Sequence, residues 1–266
     1  MSKPQIVLVP GSWHHPRHYE GILHLLEANG YETEVALPAT THAEHDKASK
    51  DTPDDIEVVR KTILEHLDQE KNVVLVAHSY GAIPAMAACT GLDTASRTAS
   101  GKSSSVLCIA CIPGAIPPPG FALASMYGGK TPPFFQIENG LSLPTGAPGP
   151  VHLFYNDIPE EKAKEHISLL KPQSEKVPYA PAPDVFTPCK NIPLGYIICT
   201  RDNVQPPVVQ YQMVEGLLAK GFNVYAVEAE CGHSPFLSKP EETAKFVRKL
   251  AGENIEVGFK LYKPQQ

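Results

Sequence analysis

The sequence predicts an α/β fold, a doubly wound and mostly parallel sheet of about six strands with an inserted cap. In both halves of the chain, short apolar runs alternate with helical segments, as in sheets covered by helices on both faces. Between the halves, residues 114–190 lose this alternation and hold 14 of the 27 prolines. A chain of 266 residues is long enough for one large α/β domain.

The first half supplies four predicted strands, at residues 5–9, 34–38, 72–77 and 103–112. Each is a short run rich in apolar residues, the pattern of strands inside a parallel sheet. A helix with apolar residues from Ile22 to Leu26 ends at Asn29 and Gly30. A second helix begins at Asp51, with cap residues and a proline in its first turn, and runs to about Leu67.

The second half resumes the alternation with strands at 193–200 and 222–228 and helices at 206–219 and 240–250. We therefore assign residues 1–113 and 191–266 to the core and residues 114–190 to an insertion, called the cap segment below. The cap segment has one predicted helix, residues 159–170, and five of the nine phenylalanines. This aromatic content favours an ordered segment over a disordered one.

Composition narrows the range of partners. A net charge of -6 argues against nucleic acid or an anionic membrane surface as a partner. The sequence has no run of 18 apolar residues, so no membrane span is predicted. A strand close to the start leaves no room for a signal peptide. We expect a cytoplasmic monomer or homodimer whose partner is a small-molecule substrate. Cys108 and Cys111 fall inside an apolar run, where cysteine serves as a small hydrophobe rather than as a redox or metal site.

Ser79 is the predicted nucleophile. It lies in Ala77-His-Ser-Tyr-Gly81, between an apolar strand and a helix over residues 82–89. A nucleophile elbow needs this strand–turn–helix context, with small residues two positions before and after the serine. Ala77 replaces the commoner glycine, and Gly81 keeps the pattern. The motif alone leaves open that Ser79 only caps the helix.

Asp202 and His233 complete the predicted catalytic group. A serine hydroxyl needs an imidazole to take its proton, and the imidazole needs a carboxylate to orient it. Each of the two follows a predicted strand, in the order Ser, Asp, His. Glu228, Glu230 and Asp157 are weaker candidates for the acid, since the first two lie too near His233 in sequence and Asp157 lies in the cap segment.

The loop after the first strand predicts the remaining groups of the site. The backbone N–H groups of Ser12 and Tyr80 are placed to stabilise an oxyanion. We expect no metal and no cofactor. The other histidines without partners are interpreted as solvated: His24, His42, His45, His66, His152 and His166. Substrate contacts are predicted for Gly11, Trp13, His14, Phe121, Phe134 and Phe154.

With these motifs, the chain resembles the α/β-hydrolase superfamily, and within it the branch of plant methyl esterases and α/β-fold hydroxynitrile lyases. The matching stretches are residues 6–13, 25–31, the elbow, Thr200-Arg-Asp202 and Gly232-His-Ser-Pro235. The lyases of this branch have threonine where this chain has Gly11, and lysine where it has Ser234. Gly11 and Ser234 therefore favour hydrolysis within this branch.

Three functions stay open from the sequence. The first is hydrolysis of an ester, lactone or thioester of a small apolar or aromatic metabolite through an acyl-enzyme. The second is carbon–carbon bond chemistry, as a lyase or cyclase, in which the same three residues act as general acid and base. The third is a receptor that binds a small molecule without turning it over.

Overall fold

The computed structural model describes residues 3–41, 48–130 and 132–264. Ten strands lie within these ranges, and they form two sheets. The strands are β1 (Gln5–Val9), β2 (Thr33–Val35), β3 (Val73–Ser79), β4 (Val106–Gly114), β5 (Gln136–Glu138), β6 (Leu141–Leu143), β7 (Gln173–Ser174), β8 (Leu194–Cys199), β9 (Val224–Ala229) and β10 (Lys260–Leu261).

The large sheet has seven strands in the order β10-β9-β8-β4-β3-β1-β2. Every neighbouring pair is parallel except β10 with β9. All six predicted strands are present, and β10 adds an antiparallel edge that the sequence pattern did not predict. The predicted mostly parallel α/β sheet is confirmed.

Nine α-helices lie in the described ranges: α1 (Glu20–Ala28), α2 (Thr52–Leu67), α3 (Ala82–Ala87), α4 (Thr94–Ala99), α5 (Pro150–Phe154), α6 (Glu160–Ser168), α7 (Pro207–Ala219), α8 (Pro235–Ser238) and α9 (Pro240–Leu250). Helix α2 begins where predicted, because Asp51 caps it and forms a reciprocal capping box with Asp54. None of the helices in the described ranges is long and apolar enough to cross a membrane.

Alternate residues of the central strands face two separate cores, as a sheet covered on both faces requires. Val7 and Leu75 pack toward α2, α3 and α7 on one face. Ile6 and Val74 pack toward α1 and α9 on the other. The carboxyl ends of these strands therefore meet at one edge of a rigid layer, where loops carry polar residues.

The cap segment contains more regular structure than its sequence pattern indicates. Strands β5, β6 and β7 form a small antiparallel sheet, and α6 lies within the predicted helix at residues 159–170. A third apolar cluster joins the cap segment to the loop after β1, through Trp13, Phe134 and Phe154. This packing holds the cap segment against the carboxyl edge of the large sheet.

Candidate active site

Ser79 lies at the end of β3, in a turn that leads directly into α3. Its φ of 50° is in the left-handed region, which side-chain-bearing residues seldom adopt. A Cβ at Gly81 would lie 2.4 Å from the carbonyl oxygen of Val9 and 2.5 Å from that of Pro10. Only glycine fits there, which explains the small residue that the elbow motif needs.

Asp202 and His233 lie in the loops after β8 and β9, and they are hydrogen-bonded. His233 Nδ1 is 2.8 Å from Asp202 Oδ2, and the two side chains are 1% and 0% exposed. A carboxylate that accepts from Nδ1 leaves Nε2 as the free acceptor of the imidazole. The ring is thereby held in the tautomer that a general base requires.

Three more donors hold the Asp202 carboxylate. The backbone N–H groups of Val204 and Gln205 donate to Oδ1 at 2.7 and 2.9 Å. The Gln210 amide donates to Oδ2 at 3.0 Å. With the His233 ring these donors fill the lone-pair positions of the carboxylate, so its orientation is fixed. Asp157, the rival acid in the cap segment, instead accepts from the backbone N–H of Gly232 at 2.7 Å.

Ser79 and His233 both line a cavity of about 600 Å³. The described residues include no hydrogen bond between the Ser79 hydroxyl and the His233 ring. Such contacts are often long without substrate and shorten when it binds.

Ser12 and Tyr80 line the same cavity as Ser79. Neither backbone N–H has an acceptor among the residues that the structure describes. The loop that carries Ser12 is fixed by buried side chains. His14 Nδ1 donates to the carbonyl oxygen of Ser12 at 2.8 Å, and Tyr155 donates to His14 Nε2 at 3.3 Å. Burial lowers the pKa of His14 well below its usual value, so the ring is neutral at these contacts.

Of the six residues predicted to contact substrate, five lie on the cavity wall. Trp13, His14, Phe121, Phe134 and Phe154 line it. Gly11 does not, and this differs from the prediction. It lies behind Ser79, where a Cβ would come within 2.7 Å of His78 Nδ1 and 3.0 Å of Ser79 Cβ. Gly11 is small because the elbow packs against it.

A buried carboxylate beside the elbow was missed by sequence reasoning. Asp55, in the first turn of α2, accepts hydrogen bonds from Tyr80 Oη at 2.6 Å and from the backbone and hydroxyl of Thr40 at 2.8 and 2.7 Å. Burial raises the pKa of Asp55 to about 6, although these hydrogen bonds oppose the shift. An acidic residue in a first helical turn gives no sign of this role, since such residues are ordinarily solvated.

Two histidines interpreted as solvated are not. His66 is buried and its Nε2 lies 2.7 Å from a carboxylate oxygen of Glu34. His166 is half-buried and stacks on His18, with ring centroids 5.5 Å apart. Both contacts join elements distant in sequence, which explains why local pattern missed them. His42 and His45 lie outside the described residues.

The six cysteines are all free and buried. Cys108 and Cys111 lie within β4, as their apolar surroundings predict. Burial raises the pKa of Cys108 to about 12, which keeps it a thiol at neutral pH.

Comparison with known proteins identifies the family of this chain. A model of the alpha/beta hydrolase family matches residues 6–246. The alpha/beta hydrolase nvfD of Aspergillus novofumigatus is 31% identical over 262 residues, which cover 97% of this chain and 100% of that protein.

Two solved structures have the same fold. Polyneuridine aldehyde esterase is 20% identical, with a TM-score of 0.69 over 94% of this chain and 99% of the esterase. The methylesterase MES16 from Arabidopsis is 20% identical, with a TM-score of 0.63 over 92% and 98% of the two chains. The predicted resemblance to plant methyl esterases is thereby confirmed for the fold, and the chain belongs to the alpha/beta hydrolase family.

Proposed function

We propose that this protein hydrolyses a carboxylic ester, lactone or thioester of a small apolar or aromatic metabolite, with Ser79 as nucleophile, His233 as general base and Asp202 as its orienting acid. The observation that carries this proposal is the buried hydrogen bond between Asp202 and His233, beside a cavity that Ser79 also lines. A nucleophile, a base and an orienting carboxylate are the groups that acyl transfer through an acyl-enzyme needs.

In the first half of the reaction, His233 Nε2 takes the Ser79 proton while Oγ bonds to the substrate carbonyl carbon. The negative charge on the carbonyl oxygen is met by the N–H groups of Ser12 and Tyr80, which have no other acceptor among the described residues. His233 then returns the proton to the leaving oxygen or sulfur as its bond to carbon breaks. Water repeats the sequence on the acyl-enzyme and regenerates Ser79.

The cavity favours an apolar acyl or alcohol group. Its volume of about 600 Å³ lies in the range of sites for small organic ligands. Aromatic and proline side chains form much of the wall: Trp13, Pro117, Pro118, Pro119, Phe121, Pro132, Phe134, Phe135, Phe154 and Phe186. A substrate of this chemistry gains free energy by leaving water for the cavity.

Two features favour hydrolysis over lyase chemistry. Ser234 puts a neutral, fully buried side chain directly after His233, where the resembling lyases have a lysine. At Gly11, a side chain would press on His78 and Ser79, so this site has no room for the threonine of those enzymes without a shift of the elbow.

Fluorophosphonate labelling together with p-nitrophenyl ester turnover tests the proposal. The wild-type protein should be labelled on Ser79 and should release p-nitrophenolate, and Ser79→Ala should abolish both. Ser12→Ala is the matched control, because it removes a hydroxyl from the same wall but keeps the backbone N–H. Turnover that survives in Ser79→Ala would refute the serine mechanism. Ligand-dependent thermal stabilisation without turnover of any ester would instead support a receptor.

A further inference from the structure

Gln173 is a buried amide on the cavity wall, supplied by the cap segment. The side chain belongs to β7 and is 1% exposed. Its backbone pairs with Ser142 of β6 and bridges to Thr41 of the core. The position of Gln173 is therefore fixed from two sides before any ligand binds.

A directional chain of hydrogen bonds sets which end of the amide is free. The Thr40 hydroxyl donates to Asp55 Oδ2 at 2.7 Å, so its single proton is used. Gln173 Nε2 donates to the same hydroxyl oxygen at 3.1 Å. The reversed amide would set its carbonyl oxygen against an oxygen with no proton to offer. Oε1 is thus the end of the Gln173 amide that is left to accept a hydrogen bond. No donor from the described residues reaches this atom.

Outside the proposed catalytic group, the polar atoms of the other buried side chains of the wall are either hydrogen-bonded or covered by protein. Trp13 Nε1 donates to the carbonyl oxygen of Ser142 at 3.1 Å. Both His14 nitrogens and the Tyr80 hydroxyl are bonded, as described above. Gln205 Oε1 also has no partner among the described residues, but that atom is fully covered by protein. Among the buried side chains of the wall, outside the proposed catalytic group, Gln173 Oε1 is the acceptor that remains for a ligand.

We propose that Gln173 determines specificity by accepting a hydrogen bond from a hydroxyl group on the apolar body of the substrate. This rests on the hydrolase function proposed above and narrows its substrate class to hydroxylated apolar esters, lactones or thioesters. A site built to bond a hydroxyl discriminates against the analogue that lacks it, because the buried acceptor is then left unpaired. Hydrocarbon substrates of the same shape fill the cavity without meeting this acceptor.

The test uses p-nitrophenyl 3-phenylpropanoate and its 2-, 3- and 4′-hydroxy derivatives, which move one hydroxyl along the same apolar body. At least one hydroxylated ester should exceed the parent in kcat/KM by about ten- to a hundredfold, as one buried hydrogen bond allows. Gln173→Met, which keeps length and loses the acceptor, should remove that preference, so that the four esters no longer differ in kcat/KM by this factor. Gln212→Met is the matched control, since Gln212 is an exposed glutamine of the same wall. Equal kcat/KM for all four esters, or an unchanged preference in Gln173→Met, would overturn the proposal.

Binding to Ser79→Ala, measured by calorimetry, examines the same contact without turnover. The hydroxylated ester should bind more tightly than the parent, and this difference should vanish in Ser79→Ala/Gln173→Met. Thr40→Val, which removes the oxygen that holds the amide, should weaken the preference as a second variant. Equal affinities in Ser79→Ala would overturn the role of Gln173 even if the wild type is an esterase. Absence of turnover with every ester would count against the proposed function instead, so the two failures are distinguishable.

Discussion

Replacing Asp202 with asparagine perturbs the proposed catalytic group while preserving the shape of the side chain. The carboxylate accepts from four donors, two of them backbone N–H groups that cannot turn away. The asparagine oxygen will therefore accept from the backbone N–H groups of Val204 and Gln205, and the NH₂ of the side chain will face His233. Because an NH₂ group cannot accept, Nδ1 must become the acceptor, and the imidazole proton moves to Nε2.

That tautomer cannot take the proton of Ser79. In a serine protease with the same arrangement, the equivalent change lowers kcat by about 10⁴. We expect a loss of about 10³ to 10⁴ in kcat here, with a smaller change in KM, because Asp202 is buried and does not line the cavity. Gln210 also loses its acceptor at this oxygen, so a modest loss of stability should accompany the change.

The assay is p-nitrophenyl ester hydrolysis, with circular dichroism and thermal unfolding to establish that the variant is folded. Asp157→Asn is the matched control: it also neutralises a carboxylate near His233, yet an amide oxygen can still accept from Gly232. Its kcat should stay within about fivefold of wild type. If folded Asp202→Asn retains kcat within about tenfold of wild type, the assignment of Asp202 is wrong.

Three other predictions concern stability and reactivity. Gly81→Ala should lower the free energy of unfolding, measured with urea, by more than about 3 kcal/mol, since the added Cβ would lie 2.4 and 2.5 Å from fixed backbone oxygens. Gly21→Ala is the control: its Cβ would meet nothing within 4 Å, so the free energy of unfolding should rise by about 0.5–1 kcal/mol. Equal effects of the two substitutions would contradict the steric reasoning. Because the folded-state pKa of Asp55 is raised to about 6, the folded protein keeps a proton that the unfolded chain has lost. Its contribution to stability should therefore fall by up to about 3 kcal/mol between pH 4 and 6. Asp55→Asn should remove this fall in the free energy of unfolding between pH 4 and 6. Identical pH profiles of stability for the variant and the wild type would disprove the role of Asp55. A thiol reagent should label none of the cysteines until urea unfolds the chain, because burial raises the pKa of Cys108 and Cys189 to about 12; rapid labelling of the native protein would count against this.

The core elements could be predicted because their causes are local. The apolar run at 72–77 forms β3 and the capped start at Asp51 opens α2, since both signals lie within a few residues of each other. The small sheet of the cap segment has no such signal. Its strands have two or three residues, and β6 pairs with β7 about thirty residues further along the chain. Strand β10, with two residues at an edge, was missed for the same reason.

The candidate site likewise contains residues whose positions follow from the local sequence and residues whose contacts depend on the folded chain. The positions of Ser79, Asp202 and His233 could be predicted because each lies at a strand end whose place in the sheet follows from chain order. Gln173 and Asp55 could not, since their roles depend on contacts with Thr40 and Tyr80 that only the folded chain creates. Residue type alone favours solvation for such groups, which is their ordinary state in proteins.

These unpredicted contacts join the cap segment to both halves of the proposed oxyanion hole. On one side, Tyr155 of the cap segment bonds His14, which holds the carbonyl of Ser12. On the other, Gln173 of the cap segment bonds Thr40, whose partner Asp55 holds Tyr80. Exchanging the cap segment should therefore change transition-state stabilisation as well as substrate fit, because the donors of the hole are positioned through it. The segment proposed to select the substrate would then also support the proposed catalytic group, which would limit how freely its sequence can vary.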